Sequence, residues 1–368
     1  MFNVEMFMKD EINLQVQIPL SEIIGTFMYK TLKLNVVQEF IHDTKEEYDV
    51  VIVEYLHSEL GAGLNREKYN NEFKSIYGSA VAKRGRELPH FEDVKYNASL
   101  VLSNSDVITS FNVALPQNYK HIGGYHLKET IDPLPEHLQK IMDEAKDGVI
   151  YFSLGSMLRG SKIPEKTKRQ LIDMFSELKQ KVIWKLEQAV PDLPKNVHVV
   201  PWAPQRSILS HPNCILFITH GGLLSTFETL ENGIPVIGMP FYGDQFLNVN
   251  RAVKQGFGKR IDFKMDVAEK LRDGIKEMLA NPSYRERVKE LSMIFHDRIV
   301  PPGKELVYWV EYVVKTRGAP HLRAAALDFY WFSKLYLDVL AVIILIFVLL
   351  FMILRKVSVS IMDHKKID

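Results

Sequence analysis

The period of the apolar positions changes several times along this chain, and each change marks a different kind of element. In residues 20–46, Ile23, Ile24, Phe27, Met28 and Leu32 recur at helical spacing, which predicts a helix. Tyr48-Asp49-Val50-Val51-Ile52-Val53-Glu54 follows as an apolar, β-branched run, the pattern of a buried strand. Residues 58–75 are polar and aperiodic, and Val101 to Ser105 offers one more short strand. The stretch 122–146 carries Pro133 and Pro135 among charged residues and reads as an interdomain linker.

Beyond the linker the pattern becomes regular. Strands are predicted at Val149–Ser153, Val182–Lys185, His198–Val200, Ile215–Thr219, Pro235–Gly238 and Gly258–Ile261. Helical patterns lie between them, including Pro164–Lys179, with proline in its first turn, and Asp244–Lys254. Strand and helix alternating through short connections predict an α/β fold with a parallel, doubly wound sheet. Such sheets bind ligands outside the carboxyl ends of their strands.

A third pattern closes the chain. Val339 to Leu354 is uncharged and almost wholly apolar, and counting from Leu335 adds only Asp338 as an interruption. At ~1.5 Å per residue, that length spans the ~30 Å hydrocarbon core of a bilayer. Tyr330, Trp331 and Tyr336 before it, and Arg355 and Lys356 after it, are interface anchors with a positive cytoplasmic flank. The terminal Lys365-Lys366-Ile367-Asp368 resembles the dilysine address of endoplasmic reticulum membrane proteins. Met1 to Leu20 includes Glu5, Lys9, Asp10 and Glu11, so it has no apolar core of signal-peptide length. A dilysine tail is read only in the cytosol, so the expected topology is single-pass with a lumenal globular part. That topology leads us to expect a further N-terminal segment ahead of this chain. Asn97-Ala98-Ser99 is a glycosylation sequon whose use depends on this orientation.

Composition narrows the function. A net charge of +1 with 25% charged residues gives no basic stripe, so no nucleic-acid partner is implied. The single cysteine, Cys214, lies in an apolar run and reads as a small core residue rather than a disulfide partner.

Three predicted strand ends converge on one chemistry. The first is Phe152-Ser153-Leu154-Gly155-Ser156, hydroxyls beside a glycine turn. The second is Trp202-Ala203-Pro204-Gln205, where an aromatic plane stacks on a base and an amide three residues on meets its edge. The third is Thr219-His220-Gly221-Gly222 opening a helix. Its glycines admit close backbone approach, its N-terminus offers free N–H groups to a diphosphate, and His220 adds a donor. Glu228, about two turns into that helix, accepts from a vicinal diol such as a ribose, and Asp244-Gln245 can grip sugar hydroxyls. No residue set suggests a metal ion or a resident cofactor.

Taken together, Trp-x-Pro-Gln, Thr-His-Gly-Gly, Glu228 and Asp244-Gln245 resemble the signature of family 1 UDP-glycosyltransferases, the group that includes UDP-glucuronosyltransferases. Gly-Gly-Leu-Leu-Ser, Phe-Leu-Asn-Val-Asn-Arg and Leu-Val-Tyr-Trp-Val-Glu-Tyr look closer to insect members. The resemblance implies a GT-B fold of two Rossmann-like domains, here with an incomplete N-terminal one. It divides the chain into an acceptor-side domain (1–121), the linker (122–146), a UDP-sugar domain (147–300), return and membrane-proximal helices (301–334), a transmembrane helix (335–354) and a cytosolic tail (355–368). Pro301–Arg317 and Leu322–Tyr336 would be the return helices. Trp202 and Gln205 would take uracil, Glu228 the ribose, and His220, Gly222, Ser225 and Ser153 the diphosphate region. Asp244 and Gln245 would hold the transferred sugar. Leu224 stands where many members have asparagine.

The resemblance implies inverting displacement, in which a histidine oriented by an aspartate deprotonates a small lipophilic acceptor. Glu54 occupies the aspartate position, and no residue matches the histidine; His57 reads as a surface residue. Two functions therefore stay open: a UDP-sugar hexosyltransferase of the endoplasmic reticulum membrane, or a UDP-sugar-binding pseudoenzyme or partner subunit. Assembly with itself or with a related chain is open too. An epimerase-like or NAD-binding domain would want Gly-x-Gly-x-x-Gly after its first strand, and Ser153-Leu154-Gly155-Ser156 does not supply it.

Overall fold

The computed structural model describes residues 33–43, 52, 66–95, 97–110, 113–155, 162–325 and 329–364. Before the linker, helix α1 (Asn35–His42) meets α2 (Arg66–Lys83) through a 2.8 Å contact between His42 Nε2 and Ser79 Oγ. Helix α1 agrees with part of the helix expected over 20–46. The strand read at Tyr48–Glu54, and with it Glu54, lies outside the described residues apart from Ile52, as does His57. The aperiodic stretch 58–75 is corrected, because α2 begins at Arg66 within it. Helix α2 buries little beyond Ile76 and Ala80, one turn apart, so no apolar stripe long enough to show a period is needed.

A five-residue helix, α3 (Phe91–Lys95), leads to β1 (Val101–Ser103), which pairs in parallel with β2 (Tyr119–His121). The linker reading of 122–146 needs adjusting at its far end. It contains helix α4 (Glu136–Asp143), whose Leu138 and Met142 are buried in the core of the C-terminal sheet domain.

Next come β3 (Val149–Ser153), α5 (Glu165–Ser176), β4 (Lys181–Lys185), β5 (Val197–Val200), α6 (Gln205–Ser210), β6 (Cys214–Thr219), α7 (Leu223–Asn232), β7 (Val236–Gly238), α8 (Gln245–Lys254), β8 (Gly258–Arg260), α9 (Val267–Ala280) and α10 (Ser283–His296). All six strands are parallel, in the order β5-β4-β3-β6-β7-β8. The doubly wound sheet expected from the alternating pattern is therefore present, with strand ends moved by a residue or so.

The central strands β3 and β6 and the middle of β4 are apolar because both faces are covered, whereas the edge strand β8 is Gly258-Lys259-Arg260. Ile150, Phe152, Val182, Trp184, Leu216 and Ile218 join the core under α5 and α9. The alternate residues Val149, Tyr151, Ile183 and Phe217 join the core under α4, α6, α7 and α10. Period-two alternation thus sends successive residues to two different cores, so both must be apolar. Cys214 lies wholly within the second core, where burial lifts its thiol to about 12, as befits a packing residue.

Strand order reverses between β3 and β6, where Ser153 and Thr219 sit opposite each other. This switch point opens a crevice at the carboxyl ends of the strands.

After α10 the chain forms α11 (Pro302–Lys315), a 3-10 turn at Pro320–Leu322, α12 (Trp331–Lys334) and α13 (Leu337–His364). The first expected return helix corresponds to α11, whereas within its described part Leu322–Tyr336 is α-helical only at Trp331–Lys334. Positive φ at Arg317, Gly318 and Ala319 breaks the path after α11, and Tyr336 at φ 55° ends α12. The apolar helix consequently starts at Leu337 rather than Leu335. Leu337–Val357 is long and apolar enough to cross a membrane and, among the described residues, is covered by no other part of the protein.

Candidate functional site

Four loops meet at the switch point. From β3 comes Gly155, with φ +79°, a conformation that disfavours any side chain. From β6 comes His220, whose ring edge is pinned between two glycines. A β-carbon at Gly155 would stand 2.7 Å from His220 Cε1, and one at Gly222 would stand 2.6 Å from His220 Nε2. These glycines are therefore close-approach positions for a ring held in place. Gly221, also at φ +79°, lets the turn press against Val249 of α8, and Thr219 Oγ1 accepts from its N–H at 3.2 Å.

Gly222 is the N-cap of α7 and brings no side chain to satisfy the first N–H groups. A helix start left open at the mouth of the switch point favours an anion. Burial pushes the His220 imidazole down to about 4, against the opposing charge of Asp244, and its buried Nδ1 has no hydrogen-bond partner among the described residues. Ser153 is buried at the end of β3, with its hydroxyl 3.4 Å from the Gly155 N–H.

On the other side of the crevice, α6 starts at Gln205. Its side-chain amide donates to Ser225 Oγ at 3.0 Å and also to the carboxylate of Glu228, both on α7. The structure thereby brings together three residues read from two separate motifs. Burial raises the Glu228 pKa, while the Gln205 hydrogen bond opposes the shift. Trp202 is 73% exposed, a large aromatic face left open beside this cluster.

Asp244 and Gln245 differ in placement. Asp244 is exposed and its Oδ2 accepts from Asn248 Nδ2 at 3.0 Å. Gln245 is buried, and its Oε1 accepts from the N–H groups of Phe241 and Tyr242 at 2.9 and 3.3 Å. Half of its amide is therefore committed to shaping the loop that presents Asp244. Leu224, in the first turn of α7, is half exposed.

Two residues belong to this cluster that sequence reasoning passed over. Lys185, at the end of β4, is buried to 8% exposure, donates to the Gly155 carbonyl at 3.1 Å and to Glu187, and holds its Nζ 5.5 Å from the Trp202 ring centre. A cation over an indole face fixes the ring and adds positive charge to the crevice. Asn248 joins two loops, since its Nδ2 also donates to the Gly221 carbonyl at 3.0 Å. A lysine closing an apolar strand and an asparagine one turn after Asp244 are the signals that would have found them.

The residues read from the sequence thus fall into small contact groups at the carboxyl ends of the strands and the start of α7: Gln205 with Ser225 and Glu228, His220 with Gly155 and Gly222, and Asp244 with Asn248. The family model described as "UDP-glucoronosyl and UDP-glucosyl transferase" matches residues 53–366. The chain belongs to this family. It is similar to UDP-glucosyltransferase 2 of Dactylopius coccus, 36% identical over 280 residues, covering 76% of the chain and 54% of the relative. It is also similar to UDP-glucuronosyltransferase 2B14 of Oryctolagus cuniculus, 32% identical over 282 residues, covering 76% and 51%. The chain spans about half the length of these curated relatives.

Among solved structures, the spinosyn forosaminyltransferase SpnP superposes with a TM-score of 0.52 at 20% identity, over 66% of this chain and 60% of that one. The glycosyltransferase VinC, solved in complex with dTDP, gives 0.52 at 17% identity, over 70% and 61%. These likenesses establish the fold, which is GT-B with the parallel sheets described above.

Proposed function

We propose that the chain carries the donor half of a membrane-anchored UDP-glycosyltransferase, which transfers a hexosyl group, glucose or glucuronate, to a small lipophilic hydroxyl compound. The Gln205–Ser225–Glu228 cluster, which joins the start of α6 to the same helix α7 that opens at Gly222 beside the His220 ring, is the observation that carries this reading. Trp202 stacks on uracil and Gln205 meets its edge. Glu228 accepts from the ribose hydroxyls. The open N-terminus of α7, with His220 and Ser225, receives the diphosphate, and Asp244 with Gln245 faces the sugar.

In an inverting displacement the acceptor hydroxyl gives its proton to a base, its oxygen bonds to the anomeric carbon, and the bond from that carbon to the diphosphate oxygen breaks; the sequence supplies no match for the family's base histidine. Negative charge then builds on the leaving UDP. Helix N–H groups fixed before the reaction stabilise that charge without reorganising. The exposed apolar helix Leu337–Val357 supports a membrane anchor, and the Arg355-Lys356 flank with the Lys365-Lys366 tail is the sequence feature that favours a lumenal globular part at the endoplasmic reticulum. The names of the relatives include both glucosyl and glucuronosyl transfer, which keeps both donors in the proposal.

Calorimetry with UDP, UDP-glucose and UDP-glucuronate on the detergent-solubilised chain tests donor binding, and a product assay with phenolic acceptors tests transfer. Binding that Glu228→Ala weakens supports the donor site, and turnover supports the enzyme. Binding without turnover assigns the chain a donor-binding role alone. Absence of any UDP binding by the wild type defeats the proposal.

A further inference from the structure

Helices α6 and α7 are joined twice. One junction is Gln205 to Ser225 and Glu228, inside the crevice. The other lies just outside it, one residue further along α6 and one turn further along α7. There Arg206 forms a two-pronged ion pair with Glu231, Nε to Oε2 at 2.9 Å and Nη2 to Oε1 at 2.5 Å. Both side chains are largely withdrawn from water, at 17% and 11% exposure. A paired fork of this kind fixes distance and angle together, which a single-point ammonium cannot do.

The remaining donors of the guanidinium go to the connection between the domains. Arg206 Nη1 donates to the Thr130 carbonyl at 2.9 Å, and Nη2 donates to the Lys128 carbonyl. Beside it Ser207 Oγ donates to the Asp132 carbonyl at 2.7 Å. The Glu231 carbonyl in turn lies 3.1 Å from Ser292 Oγ, which donates to it, and 2.8 Å from His296 Nε2. One ion pair therefore gathers α6, α7, α10 and the connection 128–132.

We propose that Arg206 and Glu231 are the positioning pair of the donor site, setting the spacing of α6 and α7 at which Gln205 reaches Glu228 and leaving Glu228 as the charge available to a ribose. This deepens, and rests on, the donor-site reading above. The charge argument reinforces the geometry. Glu228 and Glu231 stand one turn apart on the same helix, partly buried, and repel each other unless one is compensated. Arg206 compensates Glu231. Its charge also favours the ionised form of Glu228, whose pKa burial raises and the Glu231 charge raises further.

The experiment compares wild type with Arg206→Met, Arg206→Lys and Glu231→Gln in the detergent-solubilised full chain. Calorimetry is run with UDP and with its 2′,3′-dideoxy analogue, which lacks the hydroxyls that Glu228 would accept. Arg206→Met is expected to weaken UDP binding about tenfold, and Arg206→Lys less, as one lost charge-assisted contact implies. The penalty should shrink to within about twofold for the dideoxy analogue. Equal losses for both ligands, or no loss in variants whose circular dichroism matches wild type, would overturn the positioning role. A wild type that fails to bind UDP sinks the donor-site reading separately. Hydrogen exchange then decides the brace by itself: faster exchange across Leu223–Asn232 in Arg206→Lys, with α5 and α9 unchanged, upholds it, and unchanged exchange in α7 refutes it.

Discussion

His220 lies with the Cε1–Nε2 edge of its ring against Gly222, so closely that a β-carbon there would come within 2.6 Å of Nε2. Gly222 itself has φ −61° and ψ 149°, which any residue adopts, so alanine at this position meets only the ring. Gly222→Ala is therefore expected to move His220 and weaken UDP binding while leaving stability nearly unchanged. Gly155→Ala meets the same ring but must also hold φ +79°, which adds about 1–2 kcal/mol of destabilisation. Paired urea unfolding and UDP calorimetry separate the two effects. Equal stability losses in both variants would contradict this account of the two glycines.

The His220 titration gives a second expectation. Burial holds its pKa at about 4, below the ~6.5 of an unfolded histidine. The native chain thus keeps the ring neutral where the unfolded chain takes up a proton. Stability from this residue is whole above about pH 6.5 and is lost as pH falls toward 4, on the order of 3 kcal/mol in all. Glu228 slopes the other way: its raised pKa means that the native state binds a proton first as pH falls. Unfolding midpoints from pH 7 to 4 should therefore drop more steeply for wild type than for His220→Asn. Parallel curves would mean that the ring is not held neutral by burial.

Trp202 offers a direct optical test. It is 73% exposed, whereas Trp184 is buried in the core, so a ligand stacked on Trp202 alters the emission of an exposed indole selectively. UDP should quench fluorescence in wild type and not in Trp202→Ala. The substitution should cost about tenfold in UDP affinity, as the loss of one base–aromatic stack does, and under about 0.5 kcal/mol in stability. A quench that persists in Trp202→Ala places the base elsewhere.

How far the sequence reveals this site depends on whether a residue acts through a pattern or through a partner. The central strands β3, β4 and β6 are legible because burial on both faces leaves continuous apolar runs, β8 is legible only from its place in the strand–helix alternation, and Thr219-His220-Gly221-Gly222 is legible because glycine marks backbone approach. The Gln205–Glu228 contact joins α6 and α7, and only their order along the chain hinted at it. Lys185 and Asn248 carry local signals, a lysine closing an apolar strand and an asparagine one turn after Asp244, but their bonds to the Gly155 and Gly221 carbonyls on other loops are not encoded by spacing. Helix α2 escaped for the opposite reason, burying too little to impose a period. Pro133 and Pro135 mark a connection, whereas Leu138 and Met142, one turn apart just after them, carry α4 into the core and end the linker sooner than the charged stretch implies.

Asn97 tests the membrane orientation. It is exposed in the connection between α3 and β1, and its N–H bonds to the Val94 carbonyl at 3.2 Å, which leaves its side chain open to solvent. The Ala98 carbonyl accepts from Asn118 Nδ2 at 3.4 Å, which fixes the tripeptide against the start of β2 without covering its first residue. A glycan at Asn97 therefore has room in the folded protein. If the globular part is lumenal, the native protein should carry an N-linked glycan there, lost with Asn97→Gln and removed by peptide N-glycosidase as a single mobility step. Protease added to sealed microsomes should then leave the globular part intact and reach only the tail beyond Val357. An unmodified Asn97 in a protease-protected chain would discard the glycan while keeping the orientation, and an unmodified Asn97 in a protease-accessible chain would discard both. Because Asn97 lies far from the donor crevice in the chain and bonds to none of its residues, Asn97→Gln should leave UDP affinity unchanged, so this test is independent of the chemistry proposed for the site.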